Sequence, residues 1–145
     1  MRWIAGCLLL LVAGCGTGAG AGQVSLEAFT ALGSSVRLVN VAPTELGTAE
    51  AQEFQRTLER AEYSKPDKVR AALSFAPPPD RRGFAFVVPG CAEDGAKLIV
   101  ERGTLTAELV GGENINCAQA NYFLAVFSVD RASIPPTPTL LTTPR

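Results

Sequence analysis

Cys91 and Cys117 are the two side chains best placed to do chemistry with one another. They stand just inside two almost wholly apolar runs, Phe84–Val88 and Tyr122–Phe127. If those runs are neighbouring antiparallel strands, the end of one lies beside the beginning of the other, and the sulfurs meet without strain. An oxidising compartment outside the cytoplasm favours the bond. The close cysteine spacing and basic surroundings that lower a thiol pKa are both missing, so the pair reads as a structural staple and not as a redox centre.

The remaining reactive side chains do not assemble into a catalytic pattern. The chain has no histidine, which excludes a His-dependent triad, a His general base and a His metal ligand within it. Ser34 and Ser35 lack the glycine-flanked elbow of a hydrolase nucleophile, and nothing in the sequence brings Lys65, Lys68 or Lys97 beside a serine. Cys91 and Cys117 stand too far apart and too alone for a zinc site. Glu93, Asp94, Glu108 and Glu113 could supply a carboxylate pair for glycoside chemistry, yet acids in loops are usually surface charge. The expectation is a protein that is not an enzyme, with no metal and no cofactor.

A third cysteine, Cys15, carries a different chemistry. Arg2 is followed by the apolar run Trp3–Val12, the charged start and hydrophobic length of a secretory signal. The run is too short for a permanent membrane helix, which needs roughly 20 apolar residues. It ends in Val12-Ala13-Gly14-Cys15, which resembles the bacterial lipobox. The resemblance implies cleavage between Gly14 and Cys15 and a diacylglycerol on the Cys15 thiol, so that the mature chain is anchored to the cell membrane and faces outside the cytoplasm. Ile4-Ala5-Gly6-Cys7 fits the same box but precedes the apolar run, which leaves Cys7 as a small hydrophobe of the signal.

The elements around these residues fall into one domain, because 145 residues less an export segment hold one hydrophobic core. Residues 1–14 are read as the signal and 15–23 as the lipidated cysteine and a tether. The Gly16–Gly22 run has the glycine spacing of a dinucleotide loop, but it has no preceding strand or following helix and reads as a flexible linker. Residues 24–134 form the domain and 135–145 a loosely ordered Pro/Thr-rich tail. Gln23–Leu32 is compatible with helix or strand, and Ser35–Val41 reads as a strand.

From about Thr44 or Thr48 to Ala61, the residues Ala51, Phe54, Leu58 and Ala61 share one helical face, with Thr48 a candidate cap and Gly47 against a much earlier start. Pro66 can open a short helix carrying Val69, Ala72 and Leu73. Pro77-Pro78-Pro79 is stiff, and Asp80-Arg81-Arg82-Gly83 reads as a turn whose two arginines are soluble surface. A two-residue turn at Arg102-Gly103 pairs Val100 with Leu105, Leu98 with Ala107 and Lys97 with Glu108, whereas a three-residue loop would mix the two faces. The fold class expected is α+β, a small, mainly antiparallel sheet with one amphipathic helix packed on it and one disulfide.

The order strand, amphipathic helix, apolar strand, hairpin, apolar strand over residues 35–134 resembles the PrcB-like accessory domains of protease complexes. Where that family carries a Thr-Gly-Gly-Tyr-like element after its first apolar strand, this chain has Pro89-Gly90-Cys91-Ala92. The cysteine-bearing pairs Gly90-Cys91 and Asn116-Cys117 are also similar to those of small bacterial envelope lipoproteins. The first resemblance implies an accessory or binding role with a protein partner, and the second an envelope location with no named activity. A structural envelope role and an unrecognised hydrolase are the alternatives. Removing the signal takes Arg2 from 13 basic side chains set against 14 acidic ones, so the mature chain is nearly neutral and no nucleic acid is expected as partner.

Overall fold

The computed structural model describes residues 23–61, 63, 65–112 and 115–143. In chain order it holds strands β1 (Val24–Gly33) and β2 (Thr44–Glu45), helices α1 (Ala49–Arg60) and α2 (Pro66–Leu73), then strands β3 (Arg81–Gly90), β4 (Gly95–Glu101), β5 (Thr104–Val110), β6 (Asn121–Asp130) and β7 (Thr139–Thr142). One sheet runs β1-β6-β3-β2 and is antiparallel throughout. The other runs β4-β5-β7, with β4 and β5 antiparallel and β7 parallel to β5. The fold is α+β, in three layers: helices, four-stranded sheet, three-stranded sheet.

That layering explains why β3 and β6 are apolar on both faces. Successive side chains of a strand point to opposite sides, so each of these strands must feed two cores. Phe84, Phe86 and Val88 join Phe123, Ala125, Phe127 and Val129 against Leu98, Leu105, Ala107 and Leu109 of the second sheet. Ala85, Val87, Leu124 and Val126 face the other way, onto Phe54 and Leu58 of α1 and Val69 and Ala72 of α2. The Phe86 ring meets Phe127 edge-on at 6.0 Å and 76°, an arrangement favoured by the ring quadrupoles.

Local chemistry sets the elements as the sequence suggests. Thr48 caps α1 by accepting the Ala51 N–H at 3.3 Å. Arg102 and Gly103 both take positive φ, 47° and 81°, as a two-residue hairpin turn of the primed type requires. The pairing that follows is Val100 with Leu105, Leu98 with Ala107 and Lys97 with Glu108, the last closed by an ion pair at 3.1 Å. β3 and β6 are antiparallel neighbours over their full length, from Arg81 opposite Asp130 to Gly90 opposite Asn121. Cys91 and Cys117 follow and precede that ladder and are bonded, with their Cα atoms 5.6 Å apart.

Serine at both cysteines is expected to cost about 3.5 kcal/mol, the loop-closure term for a bond spanning 26 residues. Urea denaturation of the oxidised protein and of the double serine variant measures it, and a loss below about 1 kcal/mol would show that the staple does not restrain the unfolded chain.

Several expectations are corrected. Ser35–Val41 is not a strand but holds a 3-10 turn, Val36–Leu38. The Ser35 carbonyl accepts the Leu38 N–H and the Ser35 hydroxyl accepts the Arg37 N–H, while Asn40 at φ 62° turns the chain out of extension. Gln23–Leu32, left open between helix and strand, is the long strand β1 beside β6 from Val24 onward. The short helix read at Pro66 is α2, and it packs on the sheet beside α1 through buried Val69 and Ala72. The tail is not loosely ordered throughout, since Thr139–Thr142 form β7. The lipobox, Cys15 and residues 16–22 of the tether lie outside the described residues.

Candidate binding groove at the disulfide end

The ends of β3 and β5 and the connections that follow them converge on an open groove of about 430 Å³. It is lined by Pro89, Gly90, Cys91, Glu93, Gly112, Ile115, Asn116, Cys117 and Ala120. This is where the sequence placed its disulfide, and the structure adds the segment Pro89–Ala92 in which the chain departs from the PrcB-like pattern.

Glu93 shapes the groove. Its residue is only 6 % exposed, and Oε2 accepts the Cys91 backbone N–H at 2.5 Å, so the carboxylate is spent on holding the turn between β3 and β4. Gly90 is required beside it, because a Cβ there would collide with the Glu93 carboxylate and with Leu109. Close by in sequence, Gly111 at φ 82° brings the backbone against Asp94, whose N–H donates to the Val110 carbonyl at 3.2 Å. Asn121 Nδ2 donates to the Cys91 carbonyl at 3.5 Å. Ile115 is 53 % exposed on the rim, a large apolar side chain offered to solvent. The lining thus offers an apolar side chain, backbone polar groups and a disulfide.

The other residues singled out by type are dispersed. Ser35 is tied into its 3-10 turn, and Lys97 lies on the second sheet against Glu108. Among the described residues no lysine is hydrogen-bonded to a serine, and no group of three or more His, Cys, Asp or Glu side chains could hold a metal ion. Glu113 lies outside the described residues. Glu93 is buried in the groove and Asp94 is exposed beside it.

Sequence reasoning missed Arg81 and Arg82, which are neither turn nor surface but the first residues of β3. Arg81 Nη1 lies 2.6 Å from Asp130 Oδ1, and its other nitrogens donate to Ser128 Oγ and to the Ser128 carbonyl, both at 2.8 Å. The Ser128 hydroxyl donates in turn to Glu27 Oε1 at 2.6 Å. Ser128 is wholly buried.

Arg82 is 7 % exposed and grips both oxygens of Glu45, at 2.7 and 2.6 Å, while donating to the Pro135 and Pro136 carbonyls at 2.9 and 3.0 Å. The Glu45 hydrogen bond raises the Arg82 pKa, against burial, and the guanidinium stays cationic. The signal that could have found them is the register itself: pairing the two apolar runs sets Arg81 opposite Asp130.

No family model, curated protein or solved structure matches this chain. No helix among the described residues is long and apolar enough to cross a membrane.

Proposed function

We propose that the chain is a lipid-anchored extracytoplasmic module that binds a protein partner in the cell envelope and catalyses no reaction. The observation that carries the reading is Val12-Ala13-Gly14-Cys15 at the end of a signal-like apolar run. Two acyl chains on one glyceryl-cysteine make a stable anchor, because each buried methylene contributes about 0.8 kcal/mol. The Cys91–Cys117 bond supports an oxidising compartment. The disulfide-end groove, with its exposed Ile115 and its carboxylate already engaged, supports binding over catalysis. The resemblance to PrcB-like accessory domains points the same way, toward a partner that is itself a protein.

Cys15→Ser is expected to leave the protein unprocessed or to release it from the membrane fraction, while the fold is unchanged. Fractionation of cells carrying the wild type and the variant checks this. Equal membrane recovery of a correctly cleaved Cys15→Ser protein would remove the anchor from the reading.

A further inference from the structure

We infer that the anchored domain has a fixed polarity: the end of the sandwich bearing Gln23, Arg102 and Arg131 abuts the phospholipid headgroups, and the disulfide groove points away from them. The inference rests on the anchoring proposed above and adds where on the folded domain the partner is met.

The argument is one of topology and chain length. β1 leaves Gln23 at the Asp130 end of β6, where the Asp130 N–H donates to the Gln23 carbonyl at 2.9 Å, and reaches Gly33 beside Tyr122 at the other end. β3 runs the opposite way, from Arg81 beside Asp130 to Gly90 beside Asn121, directly before Cys91. The first residue of the fold and the disulfide therefore lie at opposite ends of a ten-residue ladder, roughly 30 Å apart. The hairpin confirms the division: Gly95 and Val110 pair at the disulfide end, and the Arg102-Gly103 turn lies at the other, where Gly103 adjoins Pro135 and accepts the Thr139 N–H at 3.0 Å.

Between Cys15 and the start of β1 the sequence offers residues 16–23, whose contour is at most about 28 Å. That contour is shorter than the ladder. The Gln23 end stays within reach of the lipid in every orientation, whereas the disulfide end approaches it only if the whole domain tips over.

The near end is also compatible with a headgroup surface. Arg81 and Arg82 are neutralised by Asp130 and Glu45, while Arg102 and Arg131 are exposed and make no ion pair among the described residues. Exposed Asp80 and Glu101 lie at the same end, so the face is close to neutral and the tether, not charge attraction, sets the polarity.

The test uses the chain's single tryptophan, Trp3, which lies in the segment expected to be removed. A tryptophan introduced into the mature protein is then a lone donor. Full-length lipidated Glu101→Trp and Ala118→Trp proteins are reconstituted separately into phosphatidylethanolamine and phosphatidylglycerol vesicles carrying a dansyl headgroup, and energy transfer is read. Several-fold greater transfer from Glu101→Trp is the expected result. Vesicle-bound proteins with equal transfer, or with the greater transfer from Ala118→Trp, overturn the polarity and leave the anchor standing. Protein that stays in the supernatant, with no acyl mass, overturns the anchor and the polarity together. Near-ultraviolet circular dichroism matching the wild type confirms that each variant is folded.

Discussion

Arg82→Ala is expected to destabilise the domain by about 3 to 5 kcal/mol, the usual cost of removing one partner from a buried, hydrogen-bonded ion pair. The side chain is a clamp between parts of the chain that are otherwise distant: it holds Glu45 on β2, stacks at 5.3 Å over the Phe84 ring and fixes the Pro135 and Pro136 carbonyls. Losing it leaves the Glu45 carboxylate partly buried without its cation and removes the fixed point from which the tail enters β7. Amide exchange in Thr139–Thr142 is therefore expected to accelerate well beyond that of β3 and β6. Replacing both partners with apolar residues, as Arg82→Met with Glu45→Leu, should recover much of the loss, since the desolvation of two charges is avoided. A loss below about 1 kcal/mol for Arg82→Ala in denaturant melts would show that the clamp contributes little.

Phe54→Ala is expected to cost about as much, 3 to 5 kcal/mol, for a different reason. The ring is 4 % exposed and fills the space between α1 and the helix-facing side of the sheet, in the cluster that contains Leu58, Val87 and Val126. Truncation removes that transfer energy and leaves a cavity that a 12-residue helix resting on a rigid sheet cannot close. Gln52→Ala, at an exposed position of the same helix, serves as control and should stay within about 0.5 kcal/mol of wild type. Equal melts for Phe54→Ala and Gln52→Ala would mean that α1 is not docked through this face.

How much could be read from the sequence follows from how far apart the interacting residues are. The hairpin register was legible because a two-residue turn with two positive-φ positions and a period of two leaves one pairing that keeps Leu98, Leu105 and Ala107 on the same face. The capped helix was legible from Thr48 and the Phe54–Leu58 spacing, and the disulfide from the two apolar runs it joins. Each is a local pattern or a pair of them.

Arg82 was not legible, because its partners are 37, 53 and 54 residues away and nothing near it marks the side chain as inward. β7 was hidden for the same reason: four residues between prolines read as tail until β5 is there to receive them. The segment Ser35–Val41 misled in the opposite direction, because apolar alternation outweighed Ser35 and Asn40, which bend the backbone locally. The groove was half legible. Its cysteines were named from sequence, but the buried carboxylate of Glu93 was read as surface charge, since the glycine contact that encloses it forms only when the sheet holding β3 packs on the sheet holding β5.

The proposed lipid-anchored terminus and the disulfide-stapled domain are both tested at once by the intact mass of the protein isolated from its own cells. The expected mass is that of residues 15–145 with acyl chains on Cys15, and it is lower by two hydrogens than the reduced chain because Cys91 and Cys117 are bonded. An unacylated chain that retains residues 1–14, with free thiols at both positions, would contradict the account.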